Sequence, residues 1–397
     1  MMHSHMTTIG DIAQVFDGPH ATPKKITSGP YFLSISSLEK GRLDLTKSAF
    51  LSEEDFKKWT KRVTPEEGDL LFSYETRLGE AALMPAGVRA CLGRRMGLLR
   101  FNKDKVIPEY VLYAYLSPAF QQTIKANTLT GATVDRLSIS ELPDFPIRIP
   151  PLEEQETVAN LLGSIDKKID LNNRINAELE AMAKTLYDYW FVQFDFPDPN
   201  GNPYKSSGGK MVYNSNLKRD IPDGWMDSKL DNLADLYQPK TISEKNMIRD
   251  GKYLVYGANG VVGRFDKYNH EKSVVTITCR GNTCGNINIT RPYSWITGNA
   301  MVVRPKNECI NPYYIYNLLL DSGVNKVITG SAQPQITRSN LAPLKIILPN
   351  EEIIQKFSLM MGGVFLKKIA ILEENEHLAK LRDWLLPMLM NGQVTVR

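Results

Sequence analysis

Cys279 and Cys284, with His270 before them and Cys309 after, are the chain's nearest approach to a set of metal ligands. Four residues between paired cysteines is not a usual zinc-knuckle spacing, and no second ligand pair accompanies them, so no metal is expected. Asn311-Pro-Tyr-Tyr314 approaches the Asn/Asp-Pro-Pro-aromatic pattern with which adenine methyltransferases hold a flipped base. Tyr313 stands where the second proline should be, and no glycine-rich cofactor loop follows a strand. The segment reads as the start of a helix with proline in its first turn. Asp223 and Asp227-Ser-Lys229 are too close in sequence to build a two-carboxylate-plus-lysine nuclease site on separate strands. Gly208-Gly-Lys210 lacks the upstream glycine of a phosphate cradle. His3, His5, His20, His270 and His377 form no cluster, and no nucleophile–base arrangement is readable. No residue is expected to be catalytic.

Recognition remains. Arginine and lysine suit guanine, and asparagine and glutamine suit adenine, when loops aim them into the major groove of duplex DNA. In the first half of the chain the candidates are Lys24, Lys25, Tyr74, Arg77, Arg94, Arg95, Thr133 and Arg136. In the second half they are Lys240, Tyr256, Asn259, Arg280, Asn282, Thr283, Gln333, Gln335 and Arg338.

The elements that must carry these residues occur twice. Gly131, Leu142, Ile147 and Pro150 recur as Gly330, Leu341, Ile346 and Pro349, all at an offset of 199 residues. Past one extra residue, Lys167-Lys-Ile169 meets Lys367-Lys-Ile369, and Ile9-Gly-Asp-Ile-Ala13 is echoed by Leu230-Asp-Asn-Leu-Ala-Asp235. A period near half the chain length indicates a duplicated domain rather than a solenoid. Strands are expected at Tyr31–Ile35, Asp69–Ser73, Met96–Phe101 and Ser273–Thr278, with proline-initiated helices from Pro108 and from Pro312.

A long helix follows each globular block. Val158, Leu162, Ile165, Ile169, Asn172, Asn176, Leu179, Ala183, Leu186 and Trp190 are spaced alternately by four and three, the mark of a coiled-coil seam. The second helix repeats the seam with Ile354, Phe357, Met361, Val364, Ile371, Asn375, Leu378 and Leu385, interrupted by Lys368 and Arg382. About 40 residues at about 1.5 Å each make a strut ~60 Å long. If the two helices pair antiparallel, Asn172 and Asn176 are expected to meet Asn375 and fix register. Tyr187, Tyr189 and Phe191 are expected on an outer face, docking partner proteins.

The resulting boundaries are 1–150 for a first recognition domain, 151–192 for the first spacer helix and 193–224 for a linker. A second recognition domain spans 225–349 and the second spacer helix 350–397. The formal charge is +4, divided as +2 over 1–150, −4 over 151–192 and +6 over 193–350. Positive charge outside the helices suits an anionic partner. No apolar run is long enough for a membrane span, no signal peptide is readable, and four cysteines make no disulfide framework. A cytoplasmic protein with reduced thiols is expected.

The chain resembles the specificity subunit of a type I restriction-modification system. The residues that carry the resemblance are Gly330-Ser-Ala-Gln-Pro-Gln-Ile-Thr337 with Leu341 and Ile346-Ile-Leu-Pro349, Leu152-Glu-Glu-Gln155, and Ile165-Asp-Lys-Lys-Ile169. Lys205-Ser-Ser-Gly-Gly-Lys-Met-Val212, Ile221-Pro-Asp-Gly-Trp225 and Leu381-Arg-Asp-Trp-Leu-Leu-Pro-Met-Leu-Met-Asn-Gly392 extend it over nearly the whole length. Gly131-Ala-Thr-Val-Asp-Arg136 departs by lacking the Gln-Pro-Gln of the second copy. The resemblance implies an α+β fold with two globular mixed α/β target recognition domains. Two long antiparallel coiled-coil helices would join them in a pseudo-twofold repeat. It implies double-stranded DNA, two modification (methyltransferase) subunits and restriction (motor-nuclease) subunits as partners, and no membrane. S-adenosylmethionine would bind the modification subunits, ATP and magnesium the restriction subunits, and no cofactor this chain. The alternatives are a stand-alone DNA-binding scaffold, or a methyltransferase or nuclease in its own right.

Overall fold

The computed structural model describes residues 5–130, 134–330 and 333–395. The chain divides into two compact units, Met1–Leu171 with Asn375–Arg397, and Asn172–Glu374.

In the first unit the strands are β1 (Met6–Thr8), β2 (Ala13–Asp17), β3 (Ile26–Phe32), β4 (Leu70–Ser73), β5 (Ala81–Leu83), β6 (Ala90–Cys91) and β7 (Met96–Phe101). Helices α1 (Pro108–Leu116) and α2 (Pro118–Ala126) follow, then β8 (Pro146–Arg148) and the long α3 (Leu152–Tyr187). Proline opens both short helices, where its missing N–H costs nothing. An antiparallel sheet runs in the order β2-β7-β4-β5. A smaller sheet pairs β3 parallel with β6, and β1 pairs antiparallel with β8. Leu70, Phe72, Leu99 and Phe101 from the main sheet meet Tyr110 and Tyr115 of α1 and Val158 and Leu162 of α3 in one buried cluster. Full burial of each such side chain contributes about 2–3 kcal/mol.

The second unit repeats this order. Its strands are β9 (Met226–Lys229), β10 (Ala234–Tyr237), β11 (Tyr253–Gly257), β12 (Gly260–Phe265), β13 (Val275–Thr278), β14 (Ile287–Ile289), β15 (Trp295–Ile296) and β16 (Ala300–Pro305). Helix α4 (Pro312–Ser322), β17 (Lys345–Leu348) and α5 (Glu351–Met390) complete it. The main sheet is β10-β16-β13-β14, β11 lies parallel to β15, and β9 pairs antiparallel with β17. Apart from α2 in the first unit and β12 in the second, these elements correspond in order. Even the one-turn helices ahead of β2 and β10, Ile9–Ile12 and Leu230–Leu233, correspond.

Much of the heptad seam is buried, while Leu179, Leu186, Val364, Asn375, Leu378 and Leu385 are half-buried. In the first unit Val158, Leu162, Ile165 and Ile169 are buried, and Leu162 shares a core cluster with Leu389 of α5. In the second unit Asn172, Asn176, Ala183, Phe357, Met361 and Ile371 are buried. There α3 runs antiparallel to α5, because Asn172, Glu180 and Tyr187 meet Glu374, Lys368 and Phe357 in turn. The two interruptions of the seam are ion pairs. Lys368 pairs with Glu180 in the second unit, and in the first the Arg382 guanidinium donates to Asp166 at 2.7 Å. Asp166 also accepts from the Tyr113 hydroxyl at 2.7 Å. Burial, and then that carboxylate, hold the Tyr113 phenol well above its ordinary range. Asn172 donates to Glu374 at 2.8 Å, whereas both amide atoms of Asn176 are buried without a hydrogen-bond partner among the described residues.

Candidate nucleic-acid interface

In the second unit β13 is buried along its whole length and is followed by the buried Cys279. The chain then turns through Arg280-Gly-Asn-Thr-Cys-Gly285 into β14. Three hydrogen bonds fasten this turn to two other segments. The Cys279 N–H donates to the Asn299 carbonyl (3.3 Å), the Gly281 N–H to the Pro334 carbonyl (3.2 Å), and the Ile336 N–H to the Cys279 carbonyl (2.9 Å). Arg280 and Gln335 thereby form an antiparallel bridge. Gly281 holds φ +86°, a left-handed conformation that glycine adopts without steric cost. Asn286 donates to the Asn259 side chain (3.0 Å), which brings up the tip of the β11–β12 hairpin. Gln238 donates to the Gly298 carbonyl (3.2 Å), placing the segment that carries Lys240 beside the Asn299 turn.

The first unit builds the same frame at the end of β4. The Tyr74 N–H donates to the Arg95 carbonyl (3.2 Å), the Thr76 N–H to the Asp135 carbonyl (3.3 Å), and the Leu137 N–H to the Tyr74 carbonyl (2.8 Å). Glu75 and Arg136 form the matching bridge, and Thr76 takes the left-handed place of Gly281 with φ +72°. Gly18, which opens the segment carrying Lys24 and Lys25, packs on Gly93, since a Cβ on it would lie 2.6 Å from the Gly93 carbonyl oxygen.

The candidate residues divide on this frame. In the second unit Lys240, Asn259, Arg280, Asn282, Gln333, Gln335 and Arg338 are exposed, and Thr283 is half-buried. Arg280, Asn282 and Gln335 have no side-chain hydrogen bond or ion pair among the described residues. In the first unit Lys24, Lys25, Arg94 and Arg136 are exposed. Arg95 is tied to Glu75 (3.2 Å), and Arg77 donates to the carbonyls of Ile35 (3.2 Å) and Ser36 (3.3 Å) while pairing with Glu80 (3.5 Å). Arg77 is thus a strut between loops rather than a free donor. Thr133 lies outside the described residues.

Two candidates are corrected outright. Tyr74 and Tyr256 are 7% and 6% exposed, so neither ring can stand in a groove. The Tyr74 hydroxyl is buried without a partner among the described residues, and burial, then Asp17 and Glu75, push its phenol up. The Tyr256 hydroxyl accepts the Arg291 N–H at 3.0 Å. The frame also supplies two residues that the sequence reading passed over, Glu75 and Asn299. Their signal lay in the duplication, which sets them opposite Arg280 and Arg95.

The remaining chemistry-bearing motifs serve structure. The Asn311 side chain accepts the Tyr313 N–H (2.9 Å) and caps α4. Asp227 accepts from Asn214 (2.9 Å) and Asn216 (3.0 Å), which hold its carboxyl below the usual range, and Asp223 pairs with Lys210 (3.1 Å). The Cys284 thiol donates to the Cys279 carbonyl at 3.5 Å. Burial raises both thiols of that turn. Among the described residues no group of three or more His, Cys, Asp or Glu side chains comes together to hold a metal ion.

A family model described as the type I restriction modification DNA specificity domain matches residues 4–181 and again residues 222–373. The chain belongs to this family. Specificity subunits are its non-catalytic components and carry two target recognition domains, in keeping with the two matches of the family model. The MjaIX specificity subunit of Methanocaldococcus jannaschii is 24% identical over 96% of this chain and 87% of its own. The HindI specificity subunit of Haemophilus influenzae is 24% identical over 74% of this chain and 79% of its own. The crystal structure of the type I restriction-modification S subunit from M. genitalium shares the fold. It has a TM-score of 0.57 and 17% identity, over 97% of this chain and 95% of that one. Among the described residues no helix is long and apolar enough to cross a membrane.

For a specificity subunit that assembles with other subunits, the expected docking residues need one further correction. Tyr187 and Phe191 are 2% and 5% exposed, with ring centroids 6.1 and 5.2 Å from Phe357. Tyr187, one turn after buried Ala183, faces the core of the second unit as part of α3, and the helix loosens into a π turn over Asp188–Val192 that carries the buried Phe191. Tyr189 stays outside at 37% exposure. Large exposed apolar side chains lie instead on α5, at Leu359 and Leu366 in the second unit and Trp384 in the first.

Proposed function

We propose that each target recognition domain reads one half of a bipartite, asymmetric duplex DNA site through the major groove. The observation that carries this reading is the shared turn frame. The same hydrogen-bonded backbone presents Glu75, Thr76, Arg95 and Arg136 in one domain and Arg280, Gly281, Asn299 and Gln335 in the other. A constant frame with different donors suits two modules that recognise different bases. The long helices α3 and α5 set the gap between half-sites and dock two modification subunits, to which exposed Leu359, Leu366 and Trp384 are suited. This chain contributes no catalytic group. The modification subunits bring S-adenosylmethionine for methylation of adenine N6, the restriction subunits bring ATP and magnesium, and the assembly works in the cytoplasm.

The experiment is to map methylated adenines in DNA from a host that expresses the chain with its modification subunits. A two-part, non-palindromic motif with a fixed gap is expected. A single contiguous motif, or methylation with no motif, would refute the reading.

A further inference from the structure

The turn that leads into β16 closes with the Ala300 N–H donating to the Thr297 carbonyl at 3.2 Å. Its counterpart ahead of β7 closes with the Met96 N–H donating to the Gly93 carbonyl at 3.3 Å. Asn299 and Arg95 are therefore the same residue of the same turn, and each lends its carbonyl to the first residue of the adjoining turn, Cys279 or Tyr74. Their side chains differ in circumstance. Glu75 holds Arg95 at 3.2 Å, whereas the Asn299 side chain is exposed and has no hydrogen-bond partner among the described residues.

The turn around Asn299 is fixed on both sides. A Cβ on Gly298 would lie 2.6 Å from the Thr241 hydroxyl and 2.8 Å from the Pro239 carbonyl, so the Lys240 segment presses directly on it. On the other side the bond to Cys279 ties it to the turn that bears Arg280. An exposed amide on a backbone so held, beside two unpaired basic side chains, has the preorganisation that base readout needs. An asparagine side chain donates and accepts in the geometry of the adenine N7 and N6 edge, and an arginine matches guanine O6 and N7.

We propose that Asn299 is a specificity-determining residue of the second target recognition domain, reading an adenine next to the base pair that Arg280 contacts. This rests on the DNA-reading function proposed above. Because the exposed Asn299 side chain makes no hydrogen bond or ion pair among the described residues, and its fold contribution is a backbone carbonyl, substitutions there leave the domain folded.

The test uses the full chain assembled with its modification subunits, with methylated adenines mapped for wild type, Asn299→Ala and Asn299→Arg. Asn299→Ala is expected to relax one position of one half-site, with discrimination there falling about tenfold. Asn299→Arg, which installs the side chain found at Arg95, is expected to move the preference at that position from adenine to guanine. The other half-site should keep its sequence in both variants. An unchanged motif in both variants, or a uniform weakening at every position, overturns the assignment of Asn299 while leaving the bipartite reading intact. Absence of any bipartite motif with the wild-type chain overturns the reading on which it rests.

Discussion

The two units hold their matching turns on one backbone frame and arm them differently. In the first, Glu75 grips Arg95, and Arg77 is spent on the carbonyls of Ile35 and Ser36 and on Glu80. In the second, Arg280 and Asn282 have no side-chain hydrogen bond or ion pair among the described residues. Pairing a guanidinium with a carboxylate fixes its orientation before DNA arrives but places a negative charge near phosphates. Leaving it free places no carboxylate on it but asks the DNA to order a flexible side chain, at about 0.5–1.5 kcal/mol. The asymmetry extends to the helices. The seam of α3 is apolar in the first unit, at Val158, Leu162, Ile165 and Ile169, whereas in the second it opens with buried Asn172 and Asn176 before turning apolar at Ala183 and Trp190.

The largest expected effect separates the two turns at Arg280. Arg280→Ala should cost ~1–3 kcal/mol of discrimination at one position of the half-site read by the second unit. Competition binding with single-base variants of the site would measure it. A loss equal across all sequences, with a shallower salt slope, would instead make Arg280 a phosphate contact. Next is the seam. Asn176→Leu should raise stability by ~1–2 kcal/mol in chemical denaturation, because its buried amide has no partner to lose. Asn172→Leu should give no such gain, since it leaves Glu374 without its 2.8 Å donor.

Two smaller effects probe the first turn. Thr76 carries a β-branched side chain in the left-handed region that Gly281 occupies freely. Thr76→Gly should therefore stabilise the first unit by about 1 kcal/mol in thermal melts, and a loss of stability would show that the hydrogen bond its hydroxyl accepts from Arg95, at 3.4 Å, outweighs the strain. Glu75→Gln should change stability by less than ~1 kcal/mol, as partly exposed ion pairs do. It should steepen the salt dependence of DNA binding and lower discrimination in the first half-site. No change in either would mean that Glu75 does not orient Arg95.

How much of this the sequence carried depends on which physical signal each feature leaves. The duplication, the strand Met96–Phe101, the proline-led helices and the seam are periodic or positional, and all stand in the structure. Arg280 and Asn282 lie in a polar turn after a strand pattern, and Gln335 in a polar loop after a helix, so their exposure was legible too. Tyr74 and Tyr256 were not legible as core residues. Tyr74 follows β4, all four of whose residues are buried, and alternation gives no warning where both faces of a strand are covered. The outer-face expectation fails at Phe191 because the backbone becomes a π turn there, and at Tyr187 because it stands one turn after buried Ala183 and beside the seam. Asn299 escaped notice because a polar residue between glycine and a strand reads as ordinary turn chemistry. Only the alignment of its carbonyl with that of Arg95 marks its place.

The separateness of the two domains has a direct measurement. Residues 1–150 would be exchanged for the corresponding block of a homologue, and methylated adenines mapped in DNA from a host expressing the chimaera with its modification subunits. One half of the motif should change completely while the other half and the gap stay as in wild type. A change in both halves would contradict two domains that read independently.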